Sequence, residues 1–314
     1  MPGEDFAESL RMVAELTPDL IALPELPGRG TPAGMTGRGL AVLSGLGADI
    51  VPEGWRLTSS KGLDQRRARS LLAQDLDSVE EQLEGFDGVF KAQVAGPLTL
   101  AATVERPQGD RVLADHGLRR ELTESLAEGL RDHVADLRRR LPLASIVVQV
   151  DEPALQAVLA GSIPTASGWG RHRTVHPPEV DASLRMVVDA IVESGARAVA
   201  HTCAPDVPIA LLANAGFSAI SFDLDLAVVQ DAWAEVYEQG VDLWPGVVPT
   251  AETTGLADKV LIARLDTFFG ALGFATETYA PRLVVTPTCG LAGATPGWAR
   301  RALELCQSVA VSLS

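Results

Sequence analysis

One histidine and two cysteines stand where the chain could build a metal site. His201 and Cys203 are two residues apart at the end of an apolar segment, so an extended backbone would point both side chains the same way. Cys289 follows a second apolar segment in an equivalent place. An imidazole with two thiols is a donor set typical of zinc. Because cysteine is also a common core residue, packing without a metal is the alternative.

A carboxylate could complete this set. The segment Ser221-Phe222-Asp223-Leu224-Asp225 lies between the two apolar segments, and either aspartate could supply an oxygen ligand. A helix cap or a salt bridge is the alternative role for each of them.

Two adjacent acids, Asp151 and Glu152, end another apolar segment. Burying an acid is costly unless a cation or a hydrogen-bond donor compensates it. The pair therefore predicts binding of a substrate ammonium group or general acid–base catalysis. A structural arginine partner is the alternative.

Short apolar segments and longer amphipathic segments must position these residues. Continuous apolar runs are typical of parallel strands covered on both faces. The predicted strands span residues 20–26, 89–94, 145–150, 196–202, 219–224, 243–248 and 282–286. The predicted helices span residues 4–16, 63–83, 118–140, 180–193, 208–215, 228–238, 257–272 and 298–311.

Each predicted strand is followed by a helix, and one further helix opens the chain. This α/β pattern predicts a TIM (β/α)8-type barrel that lacks its first strand, with its working residues at the C-terminal ends of the strands. A doubly wound sheet is the alternative, but no glycine-rich phosphate loop follows its first strand. We interpret residues 28–57 as an elaborated loop, so residues 1–314 are expected to form a single domain.

Charge and composition limit the partners. The formal net charge of −15 argues against nucleic acid and anionic membranes. No apolar run approaches the ~20 residues of a membrane span, and no cationic start precedes an apolar stretch. Three cysteines do not form a disulfide framework. We expect a cytoplasmic protein acting on small molecules, either monomeric or homo-oligomeric. We expect the remaining cysteine and histidines to play no part in the metal site. Cys306 is expected in the core, and the histidines on the surface or in loops: His116, His133, His172 and His176.

Taken in order, these segments resemble the catalytic barrel of the cobalamin-independent methionine synthase family. The resemblance covers residues 89–313 and is strongest at residues 149–154, 201–203 and 289–290. Three shorter segments resemble a Gly-Pro-Val-Thr strand end, a Pro-Gly-Val motif and a strand end whose Glu contacts the substrate amine. They are Val94-Ala95-Gly96-Pro97-Leu98-Thr99, Pro245-Gly246-Val247 and Leu23-Pro24-Glu25.

The resemblance implies an S-methyltransferase that passes a methyl group to the thiol of homocysteine, with Zn2+ as cofactor. Zinc coordination would hold the substrate sulfur as the reactive thiolate. The implied zinc ligands are His201, Cys203, Asp223 and Cys289. Asp151 and Glu152 are the implied catalytic acids, and Glu25 and Asp151 the implied substrate-binding residues.

The chain departs from the family at three implied site positions. Asp223 stands where the family has Glu, Thr103 where it has an aromatic that stacks on the folate, and Ala251 where it has a histidine. The methyl donor is a folate or, as in a shorter single-barrel branch, a corrinoid. The departures also support an alternative, a barrel of the same superfamily that binds a thiol or metal without transferring methyl.

The resemblance also concerns the missing strand. Family members begin with a strand that ends in Gly-Ser-x-Pro, and Met1-Pro2-Gly3 matches the tail of that motif. Either the sequence starts inside a longer reading frame, which we favour, or the natural chain lacks this strand. We expect seven βα units with a gap beside the strand at residues 20–26. This gap would be open, filled by a loop or closed by a neighbouring chain, and substrate binding would be impaired.

Overall fold

A parallel sheet of seven strands forms the centre of the molecule. The computed structural model describes residues 1–60 and 62–314. The strands of this part of the chain are β1 (Leu20–Ala22), β2 (Gly47–Val51), β3 (Gly54–Thr58), β4 (Val89–Ala95), β5 (Ser145–Asp151), β6 (Arg197–Thr202), β7 (Ala219–Asp223), β8 (Asp242–Val248) and β9 (Thr286–Pro287). The parallel sheet has the order β1-β4-β5-β6-β7-β8-β9, whereas β2 and β3 form a separate antiparallel hairpin.

Helices surround this sheet. They are α1 (Phe6–Leu16), α2 (Met35–Val42), α3 (Leu63–Gln82), α4 (Pro97–Thr103), α5 (His116–Arg140), α6 (Leu155–Leu159), α7 (Pro177–Glu193), α8 (Ile209–Asn214), α9 (Asp231–Glu238), α10 (Asp258–Ala271), α11 (Thr276–Tyr279) and α12 (Pro296–Leu313). Side-chain oxygens of Asp5, Asp115 and Thr295 cap α1, α5 and α12. Among the described residues, no helix combines the length and the apolarity that crossing a membrane requires.

The sheet curls, so one of its faces becomes the inside of an open barrel. A layer of apolar side chains fills the N-terminal end of this inside. Six come from the strands and the seventh lies two residues before β9: Leu20, Val89, Val147, Val199, Ala219, Trp244 and Val284. The members from β5 to β8 are fully buried, whereas Leu20, Val89 and Val284 are only partly buried. The partly buried members lie at or next to the two edges of the sheet.

The sheet does not close, because β1 and β9 do not pair with each other. Each of these edge strands has one neighbour in the sheet, β4 and β8 respectively. Helix α1 packs against both α3 and α12, so it bridges the gap on the outside. The Met1 ammonium donates a 2.6 Å hydrogen bond to the Glu25 carbonyl beyond the end of β1. The expected seven-stranded α/β barrel with a gap beside the first strand is confirmed.

Both edge strands are shorter than predicted. The Leu23 amide still donates to the Lys91 carbonyl, whereas the Leu23 carbonyl accepts from Nε2 of Gln93, beyond the last backbone pair at Ala22. At the other edge, residues 280–282 form a 3-10 turn, and only Thr286 and Pro287 pair with β8. The strand predicted at residues 282–286 is therefore misplaced by several residues.

The segment after β1 is more regular than the elaborated loop that we predicted. It contains helix α2 and the β2–β3 hairpin, which turns at Gly54 with a φ of 126°, a conformation that favours glycine. Gln65 holds these pieces together, since it accepts from the Ala48 amide and donates to the Leu40 and Leu46 carbonyls. The segment thus packs on the barrel as an ordered unit.

Candidate metal and substrate site

The ends of β6 and β9 bring the histidine and the two cysteines together. His201 is the penultimate residue of β6, Cys203 directly follows that strand, and Cys289 lies two residues after β9. One ligand atom from each of the three lies within 4.8 Å of the others, and the two Sγ atoms are 3.4 Å apart. Because β7 and β8 separate these strands in the sheet, the curl of the sheet makes the contact possible.

The two sulfur atoms share a hydrogen bond that makes them electrostatically unequal. This bond, together with one from His201, lowers the pKa of the Cys289 thiol to about 4. The same bond raises the pKa of the Cys203 thiol. His201 is held in turn by Ser221, whose Oγ lies 3.1 Å from Nδ1. Cys289 is therefore the more acidic thiol of the two, and the thiolate is the form that binds metals and reacts as a nucleophile.

These three residues fit a zinc ion. Imidazole nitrogen and thiolate sulfur are both usual zinc ligands. Two sulfurs bound to one tetrahedral zinc, with Zn–S bonds of about 2.3 Å, lie about 3.8 Å apart, close to the 3.4 Å between Cys203 and Cys289. Both cysteines are free thiols, and Cys289 is exposed, so a ligand in solution can reach the group.

Asp223 lies at the end of β7, outside this group of ligand atoms. Its Oδ1 accepts a 2.9 Å hydrogen bond from the Asp225 amide, which holds the carboxylate in a local turn. Burial raises the pKa of Asp223. Asp225 forms an ion pair with Arg264 on α10. The structure thus places Asp223 near the cysteines but holds it in a contact of its own.

Asp151 ends β5 and is the register partner of His201 on β6. Its side chain is 8 % exposed, and its Oδ1 accepts a 2.7 Å hydrogen bond from Nε2 of Gln149. Burial raises the pKa of Asp151 to about 6; nearby His201 opposes this rise, and Glu25 adds to it. This carboxylate is therefore close to both His201 and Glu25.

Glu152, the next residue, has a different environment. It is 1 % exposed, and its carboxylate accepts hydrogen bonds of 2.7–2.9 Å from the Leu98 amide, the Thr99 amide and the Thr99 hydroxyl. Burial raises its pKa to about 7, and the Thr99 hydroxyl opposes that rise. A Cβ at Gly96 would lie 2.3 Å from Oε1, so the close approach requires glycine there. In this arrangement the Glu152 carboxylate satisfies the N-terminus of α4.

Glu25 follows β1 and takes part in a network of buried ion pairs. It is 24 % exposed, and its Oε1 accepts a 3.0 Å hydrogen bond from Nε of Arg38. Arg38 also binds Asp75 at 3.1 Å, and Arg29 binds both oxygens of Asp75 at 2.7 and 2.8 Å. Sequence reasoning missed Arg38 and Asp75, because no short spacing connects residues that are 37 positions apart.

The other residues singled out in the sequence lie around this site or away from it. Thr103 is half-buried on α4, and its hydroxyl donates to the Thr99 carbonyl; Ala251 is exposed in the loop after β8. Cys306 is buried within α12, as expected. His172 does lie in a loop, but it is buried, with Nε2 3.1 Å from Oδ1 of Asp110. The expectation that His133 is a surface or loop residue is wrong, because it is partly buried in α5.

Comparison with known proteins gives a family and a shared fold. The sequence matches the family model of the cobalamin-independent synthase catalytic domain over residues 88–312. The solved structure of a B12-independent methionine synthase from Shewanella sp. W3-18-1, in complex with selenomethionine, superposes with a TM-score of 0.64 at 15% identity. The match covers 98% of this chain and 87% of that chain. At this identity the likeness shows a shared fold.

Two other solved structures give lower scores. The β-mannanase from the blue mussel Mytilus edulis has a TM-score of 0.47 at 11% identity, covering 97% of this chain and 84% of that chain. A D-psicose 3-epimerase solved in the presence of D-fructose has a TM-score of 0.46 at 10% identity, covering 99% of this chain and 93% of that chain. No curated protein sequence matches the chain. Because the family model covers most of the chain, including residues 151, 201 and 289, the chain belongs to the cobalamin-independent methionine synthase family, through its catalytic domain.

Proposed function

We propose that this chain is a zinc-dependent methyltransferase that transfers a methyl group to the thiol of homocysteine. The observation that carries the proposal is the His201, Cys203 and Cys289 group beside the carboxylate of Asp151. Asp151 and His201 are register partners on adjacent strands. A soft metal site next to a buried acid suits a small ligand that carries both a thiol and an ammonium group.

The residues of the site have separate roles in this proposal. His201, Cys203 and Cys289 hold the zinc ion, which, when bound, keeps a coordinated substrate sulfur deprotonated at neutral pH. Asp151 and Glu25 bind the substrate ammonium and thereby orient the sulfur toward the methyl donor. Asp223 is a fourth ligand only if its carboxylate leaves the turn with Asp225.

Glu152 has a structural role in this proposal: it holds the start of α4. Because its carboxylate binds the first amides of α4, it fixes the junction between β5 and that helix, and with it the neighbouring Asp151. This role replaces the direct catalytic contact that the resemblance implied for Glu152. Residues 1–314 act as one catalytic domain in this proposal.

The methyl donor in this proposal is a folate or a corrinoid, and the residue at position 103 bears on which of the two it is. Thr103 offers no ring on which a pterin could stack, and its hydroxyl is turned toward its own helix at the Thr99 carbonyl. Methyl transfer reactions with each donor separate the two. Zinc-loaded protein and L-homocysteine are incubated with methylcobalamin or with methyltetrahydrofolate, and methionine is measured by mass spectrometry.

Asp151→Asn tests the role of the acid in the same assay. We expect KM for homocysteine to rise about tenfold or more, because an ammonium loses a charged partner. Asp132→Asn, an exposed change on α5, is the matched control and should leave KM unchanged. If the protein binds zinc and homocysteine but forms no methionine with either donor, the alternative holds. The chain is then a barrel that binds a thiol without transferring methyl, as the Thr103 and Ala251 departures would allow.

A further inference from the structure

A lysine lies inside the barrel beneath the candidate substrate site. Lys91 is the third residue of β4, two positions after Val89 of the inner apolar layer, so its side chain points to the same inside face. Its Nζ lies 3.0 Å from Oε1 of Gln149 and 3.4 Å from Oε1 of Gln93. The cation therefore contacts two glutamine amides on neighbouring strands.

The chemistry of an ammonium group fixes the direction of both amides. A lysine has three donors and no acceptor, so each glutamine must turn its oxygen toward Nζ and its NH2 away from it. The NH2 of Gln149 then donates to Oδ1 of Asp151 at 2.7 Å. The NH2 of Gln93 donates to the Leu23 carbonyl, also at 2.7 Å, two residues before Glu25.

We propose that Lys91 is a positioning residue that places both carboxylates of the amine subsite, Asp151 through Gln149 and Glu25 through Gln93. The identity of the ligand in this inference rests on the proposed function. The contact between Gln93 and the Leu23 carbonyl matters for the position of Glu25, because β1 is an edge strand with one neighbour in the sheet. A side-chain contact at Leu23 therefore holds the residues leading to Glu25 where no second strand could.

Electrostatics agrees with this placement. Burial lowers the pKa of Lys91, and the nearby charges of Asp151 and Glu25 oppose that effect. Both acids are therefore close enough to act on the ammonium although neither is its hydrogen-bond partner. Lys91 acts on them in two ways, by orienting the amides and by offsetting the repulsion between the two carboxylates.

Binding of two thiols to the zinc-loaded protein tests the inference. The probes are L-homocysteine and 4-sulfanylbutanoate, which lacks the amino group, and their Kd values are measured by calorimetry. Lys91→Met gives an unbranched side chain that is one atom shorter than lysine and has no donors. We expect this variant to bind L-homocysteine about tenfold more weakly and 4-sulfanylbutanoate within about twofold of the parent. Lys259→Met, an exposed change on α10, should alter neither Kd. Equal weakening of both thiols by Lys91→Met, or no weakening of either, would overturn the inference.

A crystal structure of the Lys91→Met variant tests the same inference without a ligand. We expect at least one of the two amide contacts, Gln149 to Asp151 or Gln93 to Leu23, to open from 2.7 Å to beyond hydrogen-bond distance. Retention of both contacts would overturn the positioning role. If the parent protein binds neither thiol, the proposed function fails, and this structure still decides what Lys91 does.

Discussion

The Sγ atoms of Cys203 and Cys289 lie 3.4 Å apart although 86 residues separate them along the chain. They follow β6 and β9, which are not neighbours in the sheet. The pair therefore exists only when the curled sheet is formed. A metal ion held by this pair would therefore require the folded barrel.

Serine at either cysteine should abolish stable zinc binding. Cys203→Ser or Cys289→Ser leaves one thiolate and one imidazole, and we expect the zinc content after dialysis to fall from about one to below about 0.2 ions per chain. Elemental analysis by mass spectrometry measures it. Cys306→Ala, a change at the buried cysteine of α12, should keep the full zinc content. A Cys289→Ser protein with one tightly held zinc ion would show that the ligands lie elsewhere.

Lengthening the carboxylate at residue 223 should strengthen zinc binding. Asp223 is now held by the Asp225 amide outside the ligand group, and Asp223→Glu adds one methylene with which a carboxylate could reach the metal. We expect about a tenfold lower Kd for zinc, measured by competition with a chromophoric chelator. Asp225→Glu serves as the control, since that side chain pairs with Arg264. Equal Kd values for Asp223→Glu and the parent would count against a carboxylate ligand at this position.

Replacing the Glu152 carboxylate should destabilise the fold. Glu152→Gln turns an NH2 group toward at least one of the donors that the carboxylate now satisfies, at the buried start of α4. We expect a loss of about 1–3 kcal/mol in the free energy of unfolding, measured with urea. Glu81→Gln, on the exposed face of α3, should change it by less than about 0.5 kcal/mol. Stability equal to that of the parent would mean that Glu152 does not hold α4.

The candidate metal ligands could be predicted from the sequence because each is a chemically distinctive residue at the end of an apolar segment. In a parallel barrel all such ends lie on one face, so their order in the chain matters little. The Arg38–Asp75 ion pair could not be predicted in this way, since its partners come from α2 and α3 and no periodicity relates them. Lys91 was also missed, because a charged residue inside a strand shows its partners only once register is known.

Pairing between strands, which the sequence does not show, also explains where the predicted strand positions were wrong. The strands with two neighbours, from β4 to β8, lie where continuous apolar runs predict them. The edge strands β1 and β9 pair over three and two residues, because each has a single neighbour in the sheet to hold it. The hairpin β2–β3 was hidden by its glycine-rich surroundings.

Stability should fall in acid because of His133. Burial and the neighbouring Arg38 lower its pKa to about 4, from an ordinary value of 6.5. Between pH 6.5 and 4 the unfolded chain binds a proton that the folded chain excludes, so this residue costs stability as pH decreases. At pH 5 the cost is about 1–2 kcal/mol.

Urea unfolding of the parent and of His133→Gln at pH 7.5 and 5 measures this cost. The difference in unfolding free energy between the two proteins should shift in favour of the variant at pH 5. His176→Gln, at an exposed position, should show no such shift. A pH-independent difference for His133→Gln would place the titrating group elsewhere.

The gap between β1 and β9 also determines which parts of the barrel open first. Strands with partners on both sides must break two ladders to expose their amides, whereas β1 and β9 have three and two residues and one ladder each. Amide hydrogen exchange should therefore be fastest at these two edges and slowest at β5 to β7. The same two edges lead to Glu25 and Cys289, so a molecule bound to both would join them across the gap. Its binding would then slow exchange at strands that it does not touch.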